Sequence, residues 1–327
     1  MHNVSLSEER KLPSAGMVCA LLLLTGAGFI LFPGHSYLYS DTQIYVPIIE
    51  RLRNPLVLGN DIMAMRPFGF SIYDSVAVAL TTYTPLRLEH ALEVQQFVFR
   101  AVGTVGVFLI ALSMGARIAG AFFIAAVVSF GAPVTGPSLG TVESEPVPRG
   151  FAVASMLCAV GLATTGRFAW AGAMGSVAFL YHPLTAIPFW CVALFAVIRK
   201  SVRPVILIPL LPAVAILLIP AHFHAGAAET ADLFHRLDAS ELAVERRLRS
   251  YLFVSEWGPK ILIELGVQFA IAGLALWRLW PKLDGVLRDF LTGLSLAGVL
   301  SIPVSYLVLE LGGFRNCSPP ARFCCRF

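Results

Sequence analysis

Apolar residues come in long runs separated by short polar intervals, a pattern that predicts an all-α chain crossing a bilayer many times. A crossing helix needs about 20 apolar residues, with a usual range of about 17–25. Nine runs approach that length: Met17 to Phe32, Ala91 to Met114, Ile118 to Pro133, Gly150 to Thr165, Phe168 to Tyr181, Leu184 to Ile198, Pro204 to His222, Ile261 to Trp280 and Val286 to Leu309. The middle runs are short, which suits a locally thinned bilayer or half-helices held among neighbours. The expected fold is a polytopic transmembrane helix bundle of about nine spans.

Between the first two runs the pattern changes. After Asp41, the apolar positions Ile44, Tyr45, Ile48, Ile49 and Leu52 recur at helical spacing, while Gln43, Glu50, Arg51 and Arg53 take the other side. This predicts a helix lying on the membrane surface. An extended piece from Pro55 to Pro67 should follow, then an apolar stretch from Phe68 to Tyr83. Asp74 interrupts that stretch, so it reads as re-entrant or interfacial. A second amphipathic helix is expected within 229–251, with Glu241, Glu245 and Arg249 at i, i+4 steps and Leu242, Leu248, Tyr251 and Leu252 on the apolar side.

Composition supports the membrane reading. The chain is 57% hydrophobic and 13% charged, with a mean hydropathy of +0.76, whereas globular domains carry about 25% charge. The net charge of +4 does not point to nucleic acid, because Lys and Arg fall in short clusters between the apolar runs. Such clusters set orientation. With the N-terminus in the cytoplasm, the inner intervals hold Arg10 and Lys11, then Arg117, then Arg167, then Arg199, Lys200 and Arg203, and finally Arg278, Lys282 and Arg288. The outer segments are 33–90, 134–149, the His182-Pro183 turn, 223–260 and the end beyond Glu310. Residues 1–16 therefore form a cytoplasmic segment, with the first apolar run as a signal anchor, and 17–310 form the bundle, including outer loop 33–90. Residues 311–327 form an atypical tail that reads either as native or as frameshifted or truncated. Cys19, Cys158 and Cys191 lie inside apolar runs and read as small buried hydrophobes. Cys317, Cys324 and Cys325 crowd the tail, without zinc spacing or a disulfide framework.

Candidate chemistry gathers on the outer side. Asp41 reads either as a helix N-cap or as a functional carboxylate. Asp61 belongs to ordinary turn chemistry after Gly59. Glu143, Glu145 and Arg149, in TVESEPVPRG, could grip a metal ion, a hydroxyl-rich ligand or a phosphate, or could simply be a solvated loop between two helices. Tyr181 and His182 stand at an outer boundary, where the imidazole could serve as base, phosphate partner or helix cap. His222 and His224 point to different helix faces and lack a third ligand, so no metal site is expected there. No phosphate-binding loop, dinucleotide fingerprint or nucleophile elbow is present.

The layout, with an acidic residue at Ser40-Asp41 opening an outer loop of surface helices before a bundle of spans, resembles the GT-C superfamily of polytopic glycosyltransferases. The resemblance rests on one carboxylate, where those enzymes carry a pair. It implies a bacterial inner (plasma) membrane enzyme with a lipid-phosphate-linked sugar as donor, Asp41 as catalytic residue, and Glu143, Glu145, Arg149, Tyr181 and His182 as substrate-binding residues. A divalent metal is an open expectation, and membrane lipids are the expected surroundings. Two alternatives stay open: a transporter or flippase-like protein, for which Arg100 is one of few polar residues inside a run, and a non-catalytic envelope protein.

Overall fold

A computed structural model describes residues 15–58, 61, 71–134, 139–224, 238–248 and 250–312. The described chain is almost wholly helical. In order come α1 (Ala15–Ile30), α2 (Thr42–Arg53), α3 (Tyr73–Tyr83), α4 (Leu88–Ser113), α5 (Ile118–Ser129), α6 (Pro148–Thr164), α7 (Phe168–Tyr181), α8 (Pro183–Ile198), α9 (Leu210–His224), α10 (Ala239–Leu248), α11 (Pro259–Leu279) and α12 (Gly285–Ser305). A 3-10 turn at Pro204–Leu207 precedes α9, and α12 continues as a π-helical turn over Tyr306–Leu311. Among the described residues the sole ladder pairs β1 (Pro133–Val134) with β2 (Leu139–Gly140), antiparallel.

Every apolar run of the sequence holds a helix, namely α1, α4 to α9, α11 and α12. Their lengths are less uniform than the runs imply. Among the described residues three helices are long and apolar enough to cross a membrane: Leu88–Ser113, Pro259–Lys282 and Gly285–Leu311. The others are shorter; α5, with 12 residues, covers about 18 Å at about 1.5 Å per residue, against a hydrocarbon core of about 30 Å.

Local chemistry explains the boundaries. Pro148, Pro183 and Pro259 each open a helix, where the missing N–H costs nothing. Gly115 and Gly166, at φ +88° and +78°, end α4 and α6 in left-handed turns. The next residue then donates back to the last helical turn, Ala116 N–H to Ala111 O (3.1 Å) and Arg167 N–H to Leu162 O (3.0 Å), as in a Schellman end. Helix α10 starts on a capping box: Asp238 Oδ1 accepts from the Ser240 and Glu241 N–H groups, and Glu241 Oε2 accepts from the Asp238 N–H.

Three expectations need correction in detail. The buried face of α2 is Thr42, Val46, Ile48 and Ile49, while Ile44 and Leu52 are exposed; its inward face is turned toward Thr42, which is tied to a carboxylate described below. The piece after Pro55 begins not extended but as turns, with Val57 N–H on Asn54 O and Asp61 N–H on Leu58 O. Of the three cysteines in apolar runs, Cys158 is buried but Cys19 and Cys191 are exposed, while the stretch ending at Tyr83, expected as re-entrant or interfacial, holds the 11-residue α3. Residues 229–237, Arg249 and the tail cysteines lie outside the described residues, as do the side chains of Leu248, His222 and His224.

Helices α4 and α6 form the centre. A Cβ on Gly106 would strike the Leu157–Cys158 backbone, and one on Gly161 would come 2.7 Å from Gly106 O. Small residues let the two backbones touch. Ser113 Oγ–H donates to Thr164 Oγ1 (2.9 Å) at one end of this contact, and Thr25 Oγ1–H from α1 donates to Thr104 Oγ1 (3.3 Å) on the flank of α4. Gly106→Ala is expected to destabilise the bundle by about 1–3 kcal/mol through overpacking. Thermal unfolding in detergent checks this against Gly120→Ala, whose new methyl meets only Ala116 Cβ at 3.8 Å; equal midpoints for the two variants would contradict it.

Candidate functional site

Four segments distant in sequence are bonded together at one end of the bundle: the chain before α2, the start of α3, the α5–α6 connection and the α7–α8 turn. Ser36 N–H donates to Ser144 O (2.8 Å), and Ile72 N–H to Leu180 O (3.0 Å). Ser71 Oγ–H donates to Tyr181 O (2.8 Å), and the Tyr73 hydroxyl to Pro146 O (2.5 Å). From α4, Gln96 Nε2 donates to the Glu143 and Ser144 carbonyls (3.1 and 2.8 Å). Arg100 Nη2 donates to Gly34 O (2.7 Å) and Glu143 O (2.5 Å). Backbone oxygens of an irregular segment are thus satisfied by side chains of a long helix, as burial requires.

Arg149, in the first turn of α6, sits between two carboxylates. Its Nη1 is 2.5 Å from Asp41 Oδ2, and its Nε is 2.8 Å from Glu143 Oε1. Asp41 and Arg149 keep 34% and 29% side-chain exposure, so the pair stands at the mouth of the assembly, within a ligand's reach. Asp41 occupies the cap position of α2 but makes no side-chain cap bond, which sets aside the capping reading. Glu145 takes that part. Buried at 7% exposure, it accepts at Oε2 from both the Thr42 N–H (2.9 Å) and the Thr42 hydroxyl (2.7 Å), a carboxylate at a helix N-terminus where the dipole favours it. Glu143 and Glu145, adjacent in the sequence pattern, therefore diverge: one holds Arg149, the other caps α2.

His182 caps α8. Its Nδ1 accepts from the Thr185 N–H (3.3 Å) and lies 2.7 Å from Thr185 Oγ1. An accepting Nδ1 places the ring proton on Nε2, so the free edge of the imidazole is a donor rather than a base. Burial, and then the Arg149 charge, hold its pKa below the ordinary 6.5. The Tyr181 hydroxyl instead points into the core, donating to Gln95 Oε1 (3.1 Å), with its ring against Phe99 and Phe151. It forms the wall behind the site. Burial, followed by the Asp41 charge, pushes the Tyr45 hydroxyl up to about 12, keeping it neutral beside Asp41. Asp74, also buried, is among the charges acting on Tyr45.

Thr42, Tyr45, Gln96 and Arg100 complete the arrangement, and sequence reasoning did not assign them to it. The one signal for them was Arg100 as a lone cation inside an apolar run. The carboxylates do not fit a resident divalent metal: Asp41 Oδ2 and Glu143 Oε1 face Arg149, Glu145 Oε2 faces Thr42, and among the described residues no three His, Cys, Asp or Glu side chains group to hold a metal ion.

Comparison with family models, with curated proteins and with solved structures finds no match. The chemistry of this end of the bundle rests on its own geometry.

A pH effect follows from His182. Its folded pKa lies below the unfolded value of 6.5, so the unfolded chain takes up a proton first as pH falls. The stability His182 provides is complete above that pH and is lost as pH falls from there toward the folded value. Thermal midpoints between pH 7.5 and 5 should fall less steeply in His182→Asn, which keeps a capping side chain; parallel slopes would contradict this.

Proposed function

We propose that the chain is a multi-span protein of the bacterial inner (plasma) membrane, with its N-terminus in the cytoplasm and about nine crossings. We propose further that it transfers a sugar from a polyprenyl-phosphate donor to an acceptor hydroxyl at the outer face. The observation that carries this reading is the convergence of Asp41 and Arg149, 108 residues apart, with Glu143 on the same guanidinium and His182 within reach of its charge. If the nine apolar helices alternate in direction, these residues share one face, and the basic turns at Arg117, Arg167, Arg199 and Lys282 share the other. The shorter helices then cross with their ends covered by neighbours.

In this mechanism the acceptor oxygen attacks the anomeric carbon while the bond from that carbon to the phosphate oxygen breaks. Asp41 takes the hydroxyl proton. The departing phosphate gains negative charge, which Arg149 and the Nε2–H of His182 stabilise. The ion pair couples the two events. As Asp41 becomes neutral its hold on Arg149 weakens, and the guanidinium turns its charge to the leaving group while Glu143 keeps it in place. Tyr45 and Glu145 hold the α2 end against these residues.

A transporter or flippase-like protein is a second reading, favoured by the half-buried cation Arg100 on α4 and a cavity beside it. The two separate in one preparation. In vesicles supplied with a panel of polyprenyl-phosphate sugars and a hydroxyl acceptor, Asp41→Asn should lower transfer by about 10²–10⁴-fold without changing expression or detergent retention volume. An Asp41→Asn variant with undiminished transfer overturns the assignment, and substrate movement across the vesicle without transfer moves the protein to the second reading.

A further inference from the structure

Between α1, α4, α5 and α6, on the inner side of the Glu143 segment, lies a cavity of about 50 Å³. Its floor is apolar, with Val107, Ala125 and Leu157, and its roof carries Gln96, Arg100, Glu143 and Glu145, the two carboxylates being engaged by Arg149 and Thr42. At about 10–15 Å³ for each water-sized group, the space takes about three to five such groups, the size of a tetrahedral oxyanion. Val128, which also lines it, is 37% exposed, so the wall beside α5 is one side chain thick.

The roof is chemically incomplete. Arg100 spends Nη2 on two carbonyls and stacks its guanidinium 5.2 Å over the Phe29 ring. Its Nε and Nη1 are buried without a protein partner, as is Gln96 Oε1. Among the described residues Arg100 makes no ion pair, since the Glu143 carboxylate is held by Arg149. The cavity thus offers the N–H donors of one cation without an ion pair and, beside them, one amide acceptor. An oxyanion bearing a hydroxyl satisfies both: its charged oxygens accept from Arg100, and its O–H donates to Gln96.

We propose that this cavity is a phosphoryl-binding site, separate from the Asp41–Arg149 pair, that takes inorganic phosphate or the head of an alkyl phosphate monoester. Arg100 Nε and Nη1 grip the oxyanion, and Gln96 Oε1 accepts from its hydroxyl. An alkyl chain, where present, leaves the cavity directly between Ala125 and Val128 on α5. The assignment does not depend on sugar transfer. Sulfate, which carries no O–H near neutral pH, should bind more weakly than phosphate.

The test uses the full chain in detergent, with inorganic phosphate, sulfate and dodecyl phosphate as probes, read by thermal midpoint and by equilibrium dialysis of labelled phosphate. Phosphate should bind saturably and raise the midpoint, and Arg100→Gln should weaken binding by more than about tenfold, as expected for loss of a charge-assisted contact. A response to dodecyl phosphate alone assigns the site to a lipid headgroup, and a response to both shows that free phosphate suffices. Ala125→Leu fills the floor and leaves Arg100 intact, so it should weaken dodecyl phosphate even if Arg100→Gln fails to fold. Wild-type protein that answers neither probe would mean that water alone completes the roof, which overturns the proposal. So would undiminished binding by a folded Arg100→Gln variant, or unchanged dodecyl phosphate binding by Ala125→Leu.

Discussion

Gly106 lets α4 lie directly on the Leu157–Cys158 backbone of α6, and Gly161 receives the Gly106 carbonyl in return. In an apolar surrounding there is little hydrophobic gain from bringing two helices together, so close van der Waals contact has to supply the association. This contact also sets the register of everything at the end of the bundle. Gln96 and Arg100 hang from α4, and Arg149 begins α6. Sliding one helix along the other by a single turn, about 5.4 Å, would carry the α4 donors away from the Glu143 and Ser144 carbonyls and separate Arg149 from Asp41.

Charge is distributed around that register with a clear division of labour. Arg149 is compensated twice, by Asp41 and Glu143, and stays half-exposed. Glu145 is buried but spends its charge on the N-terminus of α2. Among the described residues Arg100 makes no ion pair and is held by carbonyl dipoles and an aromatic face. An ion pair at a water-facing mouth can exchange partners when a ligand arrives, because solvent softens the cost. A half-buried cation without an ion pair has less freedom, and its buried unmet donors shape the space next to it.

The apolar runs were enough to locate nine of the helices, because hydrophobic length and period are written locally. The helix ends at Pro148, Pro183 and Pro259 and at the glycines after α4 and α6 carry equally local signals, which the apolar runs alone did not use. Asp41, Glu143 and Arg149 could be placed on one side from the alternation of basic intervals, but not joined. The partner of Asp41 is a residue 108 positions away, and no local pattern distinguishes a carboxylate that caps its own helix from one that leaves the task to another. The roles of Glu145 and Tyr181 were hidden likewise: one depends on Thr42 arriving from elsewhere, the other on an aromatic cluster drawn from α3, α4 and α6. The face of α2 was misjudged because the hydroxyl of Thr42 is buried by a hydrogen bond, which a hydrophobic period cannot register.

The borrowed cap on α2 has a consequence in time. The carboxylate that closes this helix lies 103 residues downstream of Thr42, and at about 5–20 residues per second of synthesis it is made on the order of ten seconds later. During that interval the first turn of α2 lacks the carboxylate that closes it. Ordering of the first loop is therefore a late event in the birth of the protein, completed when the α5–α6 connection emerges and delivers Glu145, Glu143 and Arg149 in a single movement.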